Sequence, residues 1–197
     1  MPSSLDHLSE QQQIDRIRDH PWQIQWVSNP SEAVQLACVT IAPWCLVYIT
    51  KPTEAVQLAT VAANGAYIKL IPLPSEAVQI AAVTQRPEAL ANIKTQCSEA
   101  VQLAAVRGNG MVITWISNPT PAVQMAAVQQ TARALEEIGQ PTEEVQLAAI
   151  RAHPSNIRYI ASPSEEVQLA ALAADGAVYP LIAKPTANTQ MFHKMTW

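Results

Sequence analysis

The chain has 197 residues, 16 acidic against 12 basic side chains, a net charge of −4 and 49% hydrophobic content. A phosphate backbone calls for Lys and Arg gathered on one face, so this balance argues against direct nucleic-acid binding. Gln, Pro or a charge interrupts every apolar run well short of the roughly 18 residues a spanning helix needs, so no membrane span is expected.

Residues 1–7, Met-Pro-Ser-Ser-Leu-Asp-His, read as an N-terminal tail without the basic start and apolar core of a signal peptide, and a cytoplasmic location is expected. From Leu8 the chain repeats itself. A Pro-[Ser/Thr]-Glu-x-Val-Gln-Leu-Ala-Ala-Val block returns every 22 residues, anchored at Pro30, Pro52, Pro74, Cys97, Pro119, Pro141, Pro163 and Pro185. Self-similarity of this period marks a solenoid, in which each repeat buries its apolar face only against its neighbours. Residues 8–184 read as eight two-helix repeats, the first an N-terminal cap, and residues 185–197 as a C-terminal capping helix.

With places counted from the Pro, the second is always Ser or Thr, from Ser9 and Ser31 to Thr186. That is the residue type that caps a helix N-terminus through its hydroxyl. The Glu at the third place, as in Glu32, Glu54, Glu76 and Glu99, then meets the positive end of the helix dipole. The Val-Gln-Leu-Ala-Ala-Val run that follows is apolar nearly all round and predicts a helix covered on several sides. It should stop at the thirteenth and fourteenth places, where His20-Pro21, Ala42-Pro43 and Arg86-Pro87 supply a Pro and Asn64-Gly65, Asn109-Gly110 and Asp175-Gly176 a Gly C-terminal stop. A second short helix follows. Apolar residues at its seventeenth place (Ile24, Leu46, Ile68) and twentieth place (Val27, Ile49, Ile71) face inward, and its other positions point outward.

Two irregularities break the rhythm. One residue is inserted ahead of Cys97, which itself replaces Pro; and the repeat from Pro119 has Pro121 for Glu and no Pro or Gly within Gln129–Glu136, which predicts a longer continuous helix or a change of curvature there. At the ends, Gln12, Asp15 and Arg16 suit a helix with one face in water, while Phe192, Met195 and Trp197 are expected to fold over the last core. The expected architecture is all-α: an α/α solenoid of about nine 22-residue two-helix repeats in a curved right-handed stack, roughly 75–90 Å long at 8–10 Å per helix pair.

Four features compete for a functional role. Gln stands at the sixth place of every repeat, as Gln13, Gln35, Gln57, Gln79, Gln102, Gln124, Gln146, Gln168 and Gln190. Such amides either form a ladder between the loops of successive repeats or line a groove for a ligand. The Glu row, thickened by the pairs Glu143, Glu144 and Glu165, Glu166, either compensates helix dipoles or forms an acidic stripe for a basic partner surface. Trp22, Trp26, Trp44, Tyr48, Tyr67, Trp115 and Tyr159 fall in the second helices, where they either pack on their neighbours or form a contact surface. His7, His20, His153 and His193 are scattered, and no phosphate loop, zinc motif or nucleophile elbow occurs, so no catalysis and no cofactor are expected. Cys38, Cys45 and Cys97 are an odd count without metal spacing; Cys38 and Cys45 read as small core residues.

The phrase Pro-Ser-Glu-Glu-Val-Gln-Leu-Ala-Ala-Leu from Pro163 to Leu172, followed by Asp175-Gly176, resembles short α-helical repeats of bacterial and bacteriophage proteins. Its layout is similar to leucine-rich-repeat-variant and HEAT-like solenoids. The resemblance implies an α-solenoid, and for a phage protein it implies blocking of a host protein, in the host cytoplasm. The expected function is a non-enzymatic protein-binding scaffold, an inhibitor or adaptor whose partner offers a basic or nucleic-acid-binding surface; self-association is compatible with such a surface. Two alternatives stand beside it: a solenoid that captures a nucleotide or other small molecule, and a reader of single-stranded nucleic acid.

Overall fold

The computed structural model describes residues 4–196, so Trp197 lies outside them. The chain divides into two compact halves, with the division between Ala105 and Val106. The N-terminal half contains α1 (Glu10–Asp19), α2 (Glu32–Ile41), α3 (Glu54–Ala63) and α4 (Glu76–Gln85). A 3₁₀ helix follows each of them: Pro21–Trp26, Pro43–Tyr48, Gly65–Leu70 and Pro87–Asn92. Helix α5 (Glu99–Gly108) holds the boundary. The C-terminal half contains α6 (Pro121–Gln130), α7 (Glu143–Ala152), α8 (Glu165–Ala174) and α9 (Ala187–Thr196), with 3₁₀ helices Gly110–Trp115, Ala132–Glu136, Pro154–Tyr159 and Gly176–Leu181. In each half, successive α-helices pack on one another and successive 3₁₀ helices do the same, which is the order of an α-solenoid.

Every α-helix runs from the third to the twelfth place of its repeat. Its start is set by the second place, whose hydroxyl accepts the amide three residues on, as Ser31 does from Val34, Thr120 from Val123 and Thr186 from Thr189. In α1, Ser9 and Gln12 complete a reciprocal capping box. The core of each repeat combines the fifth, ninth and tenth places with the 3₁₀ helix, for example Val34, Cys38 and Val39 with Leu46 and Ile49, or Val167, Ala171 and Leu172 with Val178 and Ile182. Among the described residues no helix is long and apolar enough to cross a membrane.

The second helix departs from the expected pattern. It is a 3₁₀ helix, so its seventeenth and twentieth places lie one three-residue turn apart and stack directly above each other. A further place, the sixteenth, is also turned inward: Gln23, Cys45, Ala89, Val112, Ala134, Asn156 and Val178 are all buried. It packs on the α-helix of the same repeat, and its polar members are paired. Gln23 Oε1 accepts from Arg16 Nε at 2.8 Å, and Asn156 Nδ2 donates to the Ala149 carbonyl at 2.9 Å.

The glycines do not act as left-handed helix stops. Among the described residues no glycine has positive φ, and the thirteenth place is extended in Pro-opened and Gly-opened repeats alike, with φ −149° at Arg86 and −162° at Asn64. Gly65 and Gly110 instead open their 3₁₀ helices where the next repeat comes close: a Cβ at Gly65 would lie 2.2 Å from the Ala82 carbonyl oxygen, and one at Gly110 2.4 Å from that of Ala127. Asn64, Asn109 and Asp175 cap these helices by accepting from the amides of Ala66, Met111 and Ala177. The Gly amides, which Pro lacks, donate across to the next repeat, Gly65 to Gln85 Oε1 and Gly110 to Gln130 Oε1, both at 2.6 Å.

The irregular segments keep the same plan. No long helix forms after Pro119: α6 ends at Gln130, with Thr131 extended at φ −148°, and the 3₁₀ helix Ala132–Glu136 is merely one residue shorter than its counterparts. Burial of Ala134 and Leu135 at the sixteenth and seventeenth places favours this break over continuation. The insertion before Cys97 is taken up between Asn92 and Glu99. At the other end, residues preceding α1 imitate the loop of a repeat. Leu5 is buried and donates its amide to the Trp26 carbonyl at 3.0 Å, while the Asp6 carboxylate accepts from the Ser28 amide at 2.8 Å and the Ser28 hydroxyl at 2.5 Å. Leu5 and Asp6 stand one repeat length ahead of Val27 and Ser28. Those Ser28 bonds, with one from Ser4, hold the Asp6 carboxyl below its ordinary pKa.

The place of each glycine sets its tolerance. Gly65→Ala forces backbone apart and is expected to destabilise by about 1–3 kcal/mol. Gly139→Ala, with nothing within 4 Å of the added Cβ, should be neutral or stabilising by up to about 1 kcal/mol. Urea unfolding of both variants checks this, and equal midpoints would contradict the close-approach account.

Candidate functional site

The glutamine row lies among the loops. Each side-chain amide nitrogen donates to the carbonyl at the first place of its own repeat: Gln35 to Pro30 at 2.9 Å, Gln57 to Pro52 at 3.1 Å, Gln79 to Pro74 at 3.0 Å and Gln102 to Cys97 at 3.1 Å. Gln124, Gln146, Gln168 and Gln190 bond Pro119, Pro141, Pro163 and Pro185 in the same way, and Gln13 bonds both Leu8 and Leu5. The bond ties the loop to the helix it enters. Links to the next repeat are fewer: Gln124 Oε1 accepts from the Thr142 amide at 3.3 Å and Gln168 Oε1 from that of Thr186 at 3.0 Å. The oxygens of Gln35, Gln79 and Gln146 are buried without a protein partner.

The acidic row is joined to the same junctions. Glu10 accepts from the Ser31 hydroxyl at 2.5 Å, Glu54 from Ser75 and Glu76 from Ser98, so a carboxylate at one helix start bonds the cap of the next. Glu165 accepts from Asn188 Nδ2 at 2.8 Å; that bond, with a second from Thr186, lowers its carboxyl pKa from the ordinary range. Glu143, Glu144 and Glu166 are exposed at the starts of α7 and α8.

The aromatic residues separate into groups. On the adjacent 3₁₀ helices of the N-terminal half, Trp22 meets Trp26 edge to face at 4.8 Å between ring centroids, and Trp44 meets Tyr48 at 6.2 Å. Trp22, Trp44 and Tyr48 remain exposed, Trp44 at 45%. Tyr67 is half-buried at the inward sixteenth place. Trp115 and Tyr159 belong to the C-terminal half, where Tyr159 lies 5.9 Å from the Arg158 guanidinium. Sequence reasoning missed Val47, which is 62% exposed between Trp44 and Tyr48. A signal was present, since the same place holds Gln25, Lys69, Thr114 and Arg158 in other repeats.

Beside Tyr48 a cavity of about 230 Å³ opens between two successive loops, with Ser28, Asn29, Thr50, Lys51 and Gln35 in its wall. Among the described residues no group of three or more His, Cys, Asp or Glu side chains could hold a metal ion. His20 and His153 end α1 and α7 as exposed residues, and His193 stacks on Tyr179 at 4.0 Å. Cys38 and Cys45 are buried; burial first, and then each other's presence, push the Cys38 thiol far above its ordinary pKa, so it stays protonated.

Truncating a glutamine that bonds in both directions, as Gln124 and Gln168 do, should be more disruptive than truncating one that does not. Gln168→Ala leaves the Pro163 carbonyl and the Thr186 amide unpaired and is expected to destabilise by about 1–3 kcal/mol, whereas Gln190→Ala, at an exposed position, should change little. Urea titration of the two variants separates them.

No known protein family, curated protein or solved structure matches the chain.

Proposed function

We propose that this chain is a non-enzymatic protein-binding repeat scaffold whose contact surface centres on Trp22, Trp44, Val47 and Tyr48. The observation that carries the reading is the exposure of these four side chains together on two neighbouring 3₁₀ helices, with Trp44 and Val47 at places that are polar or small in most other repeats. Trp and Tyr bury large areas with few rotors and supply most binding hot spots. Resemblance of the repeats to those of bacterial and phage proteins supports a concrete form, an inhibitor that docks on a host defence complex or nuclease. The acidic row would then face the basic surface of that partner, in the cytoplasm.

A small-molecule reading draws on one feature, the cavity walled by Gln35, whose buried Oε1 has no protein partner. Its volume of about 230 Å³ falls below the roughly 300–1,000 Å³ of ordinary ligand pockets. Twelve basic side chains against 16 acidic ones give little support to a reader of single-stranded nucleic acid.

Affinity capture from bacterial lysate should return a stoichiometric protein partner with the natural chain and with Trp115→Ala. Trp44→Ala should weaken that partner's binding by about 30-fold, the loss typical of a hot spot. Equal retention by Trp44→Ala, or thermal stabilisation by nucleotides with no partner captured, would overturn the reading.

A further inference from the structure

The C-terminal half carries an apolar groove that the aromatic surface does not account for. It has a volume of about 530 Å³ and is walled by Leu169, Ala170 and Ala173 of α8 and Phe192 of α9, with Glu165 and Glu166 at one rim. Leu169, Ala170 and Ala173 occupy the seventh, eighth and eleventh places, and the same places in α9 hold Met191, Phe192 and Met195. Elsewhere the eighth place is Ala, apart from Asp15 in the first repeat, and the eleventh is small or polar. The last repeat instead exposes two large flexible side chains, Met191 at 58% and Met195 at 79%. Met adapts its shape to bulky apolar guests, and exposed apolar side chains of this size on α9, the helix whose Phe192 walls the groove, mark a contact surface.

The charged side chains that line the groove, Glu165 and Glu166, are both acidic. Glu143, Glu144, Glu165 and Glu166 crowd the N-terminal ends of α7 and α8, whereas Arg151 and Lys194 stand in the last turns of α7 and α9. We propose that this groove docks a cationic amphipathic helix of a partner protein: its apolar stripe enters between α8 and α9, and its Lys and Arg side chains face the four glutamates. The apolar floor supplies area, the glutamates fix orientation and attract the cationic flank, and the methionines close over the guest. The surface lies in a different half from Trp22, Trp44 and Tyr48, so it stands or falls separately from the aromatic surface.

The probe is a fluorescein-labelled synthetic helix of about 18 residues, five turns, with Leu along one face and Lys on its flanks. Anisotropy should show saturable binding that weakens with salt. With methyl-¹³C methionine in the protein, the Met191 and Met195 resonances should move while that of Met125, at the same seventh place in α6, stays fixed. Ala173→Arg, which places a cation in the groove at an exposed helix position, should weaken binding about tenfold, whereas Ala62→Arg at the same place of α3 should leave it unchanged. The proposal is overturned if the Glu-for-Lys version of the peptide binds equally, if Ala173→Arg has no effect, or if no binding occurs. Sedimentation with phosphatidylcholine vesicles would reassign the methionine face to lipid, and dimerisation abolished by Ala173→Arg would reassign it to a second copy. Loss of captured partner on Trp44→Ala with an intact peptide response, or the reverse, tells the two surfaces apart.

Discussion

Each repeat depends on one hydrogen bond that crosses from helix to loop: the sixth-place glutamine donating to the carbonyl of the residue that opens its own repeat. The loop before each helix is short and must pass over an apolar core, so its carbonyl would otherwise be left without a partner at a partly buried position. Placing an amide inside an apolar helix is normally unfavourable. Here it satisfies that carbonyl and fixes the entry angle of the chain, which brings fifth- and tenth-place residues such as Val34 and Val39 into the core. The Ser or Thr cap and the Glu of the preceding repeat add a second clasp at the same junction. Stacking apolar faces provides the driving force; the clasps set the register in which they stack.

Much of this was legible from the residues. Period, cap and apolar places predict the start of each α-helix to the residue and its end to within one or two, because Ser or Thr before a Glu and an apolar run leaves few other conformations open. The second helix was harder. Its seventeenth and twentieth places fit α and 3₁₀ geometry alike, and the sixteenth place, also buried, is chemically too varied, with Gln23, Cys45, Ala89 and Asn156, to show as an apolar position. The glycines misled for a related reason. After an Asn or Asp they look like left-handed stops, yet what requires Gly65 and Gly110 is the carbonyl of a residue in the next repeat's helix, Ala82 or Ala127, which no local pattern encodes.

Surfaces were less legible than the fold. Identity at a place points to packing, so departures from the consensus are where recognition is to be sought, and Val47 shows how a single departure is overlooked when attention goes to aromatic residues. Aromatic side chains collected by sequence distance proved to be distributed over two halves, with Tyr67 turned inward. Exposure, more than residue type, distinguished Trp44 from Tyr67. Met195 was expected to fold over the last core, but most of its surface remains in water.

The bonds from Gly65 to Gln85 and from Gly110 to Gln130 have a bearing on how such a chain evolves. A Pro at that position has no amide and asks nothing of the following repeat, and the repeats that follow Pro21 and Pro43 duly hold Ile41 and Ala63 where Gln85 stands. Donor and acceptor are therefore written in different repeats. A duplication or deletion of 22 residues that separates a glycine from its glutamine leaves an unpaired amide against a neighbouring helix, so unequal crossover can insert or remove proline-opened repeats more freely than glycine-opened ones. The order of the repeats carries information that no single repeat contains.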